Sequence, residues 1–139
     1  MQIRPPTTDD AIAACFPLFH VLRPHLIAGE FVARVRRQQA SGYHLICGYD
    51  GEAVVAAAGF RFLEFLAWGR VLYVDDLITA PEHRQRGHGH ALMEWLIARA
   101  KEADCDELHL DSGYHRHDAH RLYLNQGLQL TSHHFSRKL

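Results

Sequence analysis

Two hydrophobic rhythms divide the chain. Ile12, Cys15, Phe16, Phe19 and Leu22 recur three and four residues apart, and Phe31, Val32 and Val35 do so again, so each early segment carries one apolar helical stripe. Pro17 lies inside the first stripe and cannot donate an interior helical hydrogen bond, which predicts two short helical pieces rather than one. Thr7 or Thr8 offers the N-cap, with Asp9 and Asp10 favourably placed in the first turn. A second helix is expected over about 30–40, closed by Gly42. Residues 43–49 and 52–60 read as antiparallel strands joined at Asp50-Gly51, a dipeptide that favours a type I′ hairpin. Ala56-Ala57-Ala58-Gly59 leaves room for something bulky against the second strand. Gln2-Ile3-Arg4 before Pro5-Pro6 reads as a short edge strand.

Downstream the rhythm changes. Val71-Leu72-Tyr73-Val74 is continuously apolar, as in a strand covered on both faces. Residues 88–103 return to helical spacing, with Leu92, Trp95, Leu96 and Ala100 on one side and Met93 and Ile97 beside them. Residues 107–110 form the next strand. Strand, helix, strand implies a right-handed crossover between parallel strands, with a ligand expected at their carboxyl ends. Leu122 and Tyr123 lie in a shorter helix ended by Gln126-Gly127, and residues 128–136 read as one or two final strands.

Composition narrows this picture. At 139 residues and 47% hydrophobic, the chain is expected to be one domain, 1–139, with a real core. A net charge of −1 argues against a nucleic-acid or acidic-membrane partner. Residues 1–10 lack an apolar signal core, and no run approaches the ~18 apolar residues of a membrane span. Cys15, Cys47 and Cys105 are widely spaced in apolar surroundings and read as buried thiols, with a reducing cytoplasm as the default compartment. Twelve histidines invite a metal, but neither His-Glu-x-x-His nor zinc-like Cys/His spacing occurs, so no metal is expected.

The chemistry concentrates after the central strand. That strand ends in Asp75 and Asp76, and Pro81-Glu82-His83-Arg84-Gln85-Arg86-Gly87-His88-Gly89-His90 leads into the long helix. A helix start has N–H groups without intrahelical partners and about half a positive charge, so an anion such as phosphate suits it. Glycines let a ligand approach the backbone closely. The loop is not a P-loop, for no Gly-Lys-Ser/Thr follows, and it lacks the third glycine of a dinucleotide fingerprint, having Leu92 there.

Arg84-x-x-Gly87-x-Gly89, followed downstream by Ala119-x-x-Leu122-Tyr123-x-x-x-Gly127-Leu128, resembles the two motifs of the GCN5-related N-acetyltransferases, the GNAT family. Val74-Asp75-Asp76-Leu77 and Leu110-Asp111-Ser112-Gly113 look closest to a group of small bacterial members. The resemblance covers nearly the whole chain and implies an α/β fold of the mixed α+β kind. It predicts a twisted, mostly antiparallel sheet of about six to seven strands, one splayed parallel pair, and about four helices. It further implies acetyl-CoA as donor, a small-molecule or peptide amine as acceptor, and direct attack of a primary amine on the thioester. The backbone of Leu77, Ile78 and Thr79 would pair with the pantetheine arm, while Arg84, Gln85, Arg86, Gly87, His88, Gly89 and His90 would hold the pyrophosphate. Asp75 or Asp76 would be the base, an N–H near Leu77 or Ile78 the oxyanion donor, and Tyr123 the acid at sulfur. Two acidic residues, with Glu64 near in sequence, would suit a cationic acceptor. An acyl-CoA sensor without chemistry is the alternative, and a homodimer is left open. Two departures stand out: Arg116 where the family often has Asn, and Leu128 where Phe is common.

Overall fold

The computed structural model describes all residues, 1–139. Strand β1 (Gln2–Arg4) precedes helices α1 (Asp9–Ala13), α2 (Phe16–Leu22) and α3 (Ala28–Gln39). Strands β2 (His44–Asp50), β3 (Ala53–Phe65) and β4 (Gly69–Thr79) follow, then a short 3-10 turn (Pro81–His83), helix α4 (His88–Glu102), strand β5 (Glu107–Leu110) and helix α5 (His117–Asn125). Thr8 caps α1 by accepting from the Ala11 N–H at 3.1 Å, and Pro17 sits in the first turn of α2, where its missing N–H costs nothing.

The sheet runs β1-β2-β3-β4-β5, antiparallel except for the parallel β4–β5 pair that the crossover requires. Side chains alternate across it. Leu45, Cys47 and Ala57 pack with Phe19, Phe31 and Val35 of α2 and α3. Ile46, Ala56, Ala58, Leu72 and Val74 pack with Leu92, Met93 and Leu96 of α4 on the opposite face. The triple-alanine stretch is fully buried, covered on both sides.

Three expectations need correction. The hairpin after β2 pairs Asp50 with Ala53, so its loop is Gly51-Glu52, with only Gly51 at positive φ (+60°). That is the pattern of a type II′ turn, not I′. Cys105 is only partly buried, unlike Cys15 and Cys47. The sheet has five strands rather than six or seven, because residues 128–139 form none. Leu130 and Phe135 are exposed in the tail, and Thr131-Ser132-His133-His134 interrupts any apolar face it could bury. Beyond Leu128, which packs into the α4-side core, the tail is tied down by Tyr114–His133 and His134–Asp111 contacts.

One irregularity decides the rest. Gly59 faces Asp76 and Phe60 faces Val74, so Asp75 is an extra residue on β4, a β-bulge. In a regular strand Asp76 would join Leu72 and Val74 on the α4 side. The inserted residue reverses the parity, and Asp76 turns instead toward Tyr43 and Arg23.

Candidate active site

Residues 84–90 form the first part of the site. Gln85 takes a left-handed φ of 61° and Gly87 one of 81°, which folds the chain tightly before α4 begins. The first bond of the helix runs from the Ala91 N–H to the Gly87 carbonyl, and no side chain caps α4. The amides of Gln85, Arg86, Gly87, His88, Gly89 and His90 therefore have no protein acceptor. Arg84 and Arg86 are exposed and without a carboxylate partner. A Cβ on Gly89 would stand 3.1 Å from Leu122 Cδ2, so a larger residue would crowd α4 against α5. His88 is held below the usual histidine range by burial and by the neighbouring His83, with Arg86 acting the same way. Six free amides, two free guanidiniums and a helix N-terminus fit a diphosphate.

The second part lies where the parallel strands separate. Their last pair is Val74 with Leu110; β4 continues through Thr79 while β5 stops. On its other edge Leu77, Ile78 and Thr79 pair with Ala58, Ala57 and Ala56 of β3. The gap opens into a cavity of about 180 Å³ lined by Asp75, Leu77, Ser112, Arg116 and Tyr123 among others. Tyr123 is buried on α5, and burial pushes its phenol above the ordinary tyrosine range while the adjacent Arg116 guanidinium pulls it back down. Arg116 also donates to the Leu77 carbonyl at 3.3 Å, bridging the gap from α5 to β4.

A second cavity, of about 360 Å³, lies between the sheet and α2–α3. Asp75 and Arg23 line both cavities and mark where they meet. The two adjacent carboxylates are held differently. Asp76 is occupied at both oxygens: Tyr43 donates to Oδ2 at 3.0 Å, and Arg23 meets Oδ1 at 3.1–3.2 Å. Asp75 receives Arg61 at Oδ2, 2.8 Å away, but its Oδ1 is buried with no partner. Burial raises Asp75 above the usual carboxylate range, and Arg61 only partly offsets this. Ser112 Oγ, lining the smaller cavity, is likewise buried and unpaired. Buried polar atoms without partners are uncommon and costly, so two on residues lining the smaller cavity suit a polar guest.

The model of the acetyltransferase (GNAT) family matches residues 9–128. This chain belongs to the GNAT family of acetyltransferases. It is 28% identical over 121 residues to the uncharacterized N-acetyltransferase YhdJ of Bacillus subtilis (strain 168), covering 86% of this chain and 85% of that protein. It is 29% identical over 66 residues to the aminoalkylphosphonate N-acetyltransferase of Salmonella typhimurium, covering 48% of this chain and 43% of that one. Its fold matches an aminoglycoside N-acetyltransferase solved in complex with CoA at a TM-score of 0.84 and 17% identity, over 99% of this chain and 93% of that one.

Several residues that shape this GNAT site carried no local sequence signal. Tyr43 reaches Asp76 only because Gly59 has no side chain: a Cβ there would overlap the Tyr43 phenol. Arg23 and Arg61 lie on segments without a motif, Ser112 lies in the Leu110–Gly113 motif that carried a resemblance but no assigned role, and Glu64 sits exposed on β3 and lines neither cavity. For Tyr43 the small-residue run at 56–59 was the available hint, and the bulky group it admits is that ring.

Proposed function

We propose that this GNAT enzyme transfers an acetyl group from acetyl-CoA to the primary amine of a small molecule or peptide by direct attack, with Asp75 as base and Tyr123 as acid. The observation that carries the reading is the unpartnered Asp75 Oδ1, buried where the two cavities meet. The free amides and Arg84 of residues 84–90 would hold the pyrophosphate, and the unpaired edge of β4 at residues 77–79 would take the pantetheine arm. Bound there, acetyl-CoA supplies an activated acyl carbon and a thiolate leaving group. That one relative is named for acetylating aminoalkylphosphonates supports a small amine acceptor. Cys15 and Cys47, free thiols whose sulfurs lie 2.9 Å apart, suit a reducing cytoplasm.

An alkyl amine with a pKa of ~10.4 is under ~0.1% neutral at pH 7, so a base at the acceptor is worth having. Asp75 has the free oxygen for that proton, and its raised pKa makes it a better acceptor than an ordinary carboxylate. Asp76 has neither oxygen free and serves to orient Tyr43 and Arg23. As the carbon–nitrogen bond forms and the carbon–sulfur bond breaks, an N–H near Leu77 or Ile78 would stabilise the oxyanion. Tyr123, kept protonated by burial, would deliver the final proton to sulfur. From a phenol of pKa ~10 to a thiol of ~8.5 this is uphill by roughly 2 kcal/mol, small beside the barriers enzymes remove.

The test is thiol release from acetyl-CoA across an amine panel, comparing the protein with Tyr123→Phe. Amine-dependent release that falls about 10- to 100-fold in the variant is expected. CoA binding with no transfer to any amine would mark an acyl-CoA sensor instead.

A further inference from the structure

We propose that the acceptor carries an anionic group as well as its amine, a zwitterion of the amino-acid or aminophosphonate kind, and that Arg34 receives the anion. The inference rests on the transfer reading above and adds the acceptor's charge pattern. It comes from the charge balance of the larger cavity. Asp75 and Asp76 at its floor are each already met by an arginine, Arg61 and Arg23 respectively. An acceptor with two cationic ends would therefore find no unneutralised carboxylate pair to hold both.

One charge in the cavity wall is left over, and it is positive. Arg34 of α3 lines the cavity, is half-buried, and has neither a carboxylate nor a hydrogen-bond acceptor within the protein. Arg36, also on α3, lies on a different face and is bound by Asp9 at 2.8 Å. A guanidinium presents a planar fork that matches carboxylate or phosphonate oxygens two at a time. Phe19, Leu26, Phe31 and Val35 form much of the surrounding wall, and an apolar wall strengthens such a pair by keeping water away. At about 360 Å³ the cavity is at the small end of ligand sites. A short molecule thus spans it with the amine at Asp75, beside the smaller cavity, and the anion at Arg34. His25, exposed on the same lining, adds a further donor at the rim.

The experiment measures thiol release with four acceptors of matched length: 3-aminopropylphosphonate, β-alanine, 3-aminopropanol and 1,3-diaminopropane. Expected is a kcat/KM for the phosphonate and carboxylate at least ~10-fold above that for the alcohol or the diamine, the size of one good charge-assisted contact. Arg34→Gln should collapse that ratio toward one, Arg34→Lys should restore part of it, and Arg34→Glu should turn it in favour of the diamine. CoA binding by each variant confirms that it has folded. A protein that prefers the diamine or the alcohol, or a ratio unmoved by Arg34→Gln, overturns the inference while leaving acetyl transfer intact. If no amine is acetylated, the transfer reading fails, and calorimetric titration of 3-aminopropylphosphonate decides the charge selectivity separately. Binding lost in Arg34→Gln upholds it, and absence of binding overturns it.

Discussion

Residues 84–90 and the wall around Asp75 are built from opposite materials. The proposed anion cradle is one unbroken stretch whose free donors are mainly backbone N–H groups, so its shape depends on two left-handed φ angles and the start of one helix. The proposed acceptor wall is made of side chains from α3, β3, β4 and the residues flanking α2 and β2, and Arg34 apart its charged members interlock: Tyr43 and Arg23 with Asp76, Arg61 with Asp75 and Gln38. A backbone site tolerates side-chain change well, whereas a side-chain network is disturbed by the loss of any member. The difference can be broken open by variants.

The largest effect belongs to Asp75. Asp75→Asn should lower kcat/KM by about 10²–10⁴-fold, the range of a lost general base, while leaving the Kd for CoA within about twofold. The pH profile sharpens this. A base must be unprotonated, and burial raises the Asp75 pKa, so the acid limb of kcat/KM should lie above the ordinary carboxylate value of ~3.9 and vanish in the variant. An unshifted limb present in both proteins would remove Asp75 from the role.

Next comes the glycine that lets the network form. Gly59→Ala should cost about 2–4 kcal/mol in urea denaturation, because the new Cβ displaces the Tyr43 ring and breaks its bond to Asp76. In a Tyr43→Ser background the same change should cost much less, since the clash is gone. Additive losses would contradict the geometry.

Variants of the cradle should be gentler. Arg84→Ala should weaken CoA binding about three- to tenfold and flatten its salt dependence, with the fold intact, because one exposed guanidinium is lost while the amides stay. The smallest effect is at His88. Its pKa is depressed in the free protein, and a diphosphate beside it would raise it, so binding should take up a proton and affinity should rise a few-fold as pH falls from 7.5 to 6. Calorimetry in buffers of different ionisation enthalpy reads that uptake directly. Proton release, or an affinity that falls on acidification, would place the anion elsewhere.

The sequence by itself determined the glycine-bearing turn into α4 and its surroundings, because these depend on neighbours along the chain. Thr8 capping α1, Pro17 dividing two helices, glycines before α4 and the parallel crossover to β5 are all local or periodic signals. Local patterning misjudged the ends: the hairpin turn moved one residue, and the tail expected to form strands at residues 128–136 leaves the outer edge of β5 unpaired. The distinction between Asp75 and Asp76 belonged to tertiary structure alone. Identical side chains on adjacent residues differ there only because a bulge opposite Gly59 reverses the parity of β4, and because partners tens of residues away occupy both oxygens of one and a single oxygen of the other. Such a choice follows from which distant groups the packed core brings within hydrogen-bonding reach, and no spacing along the chain encodes it.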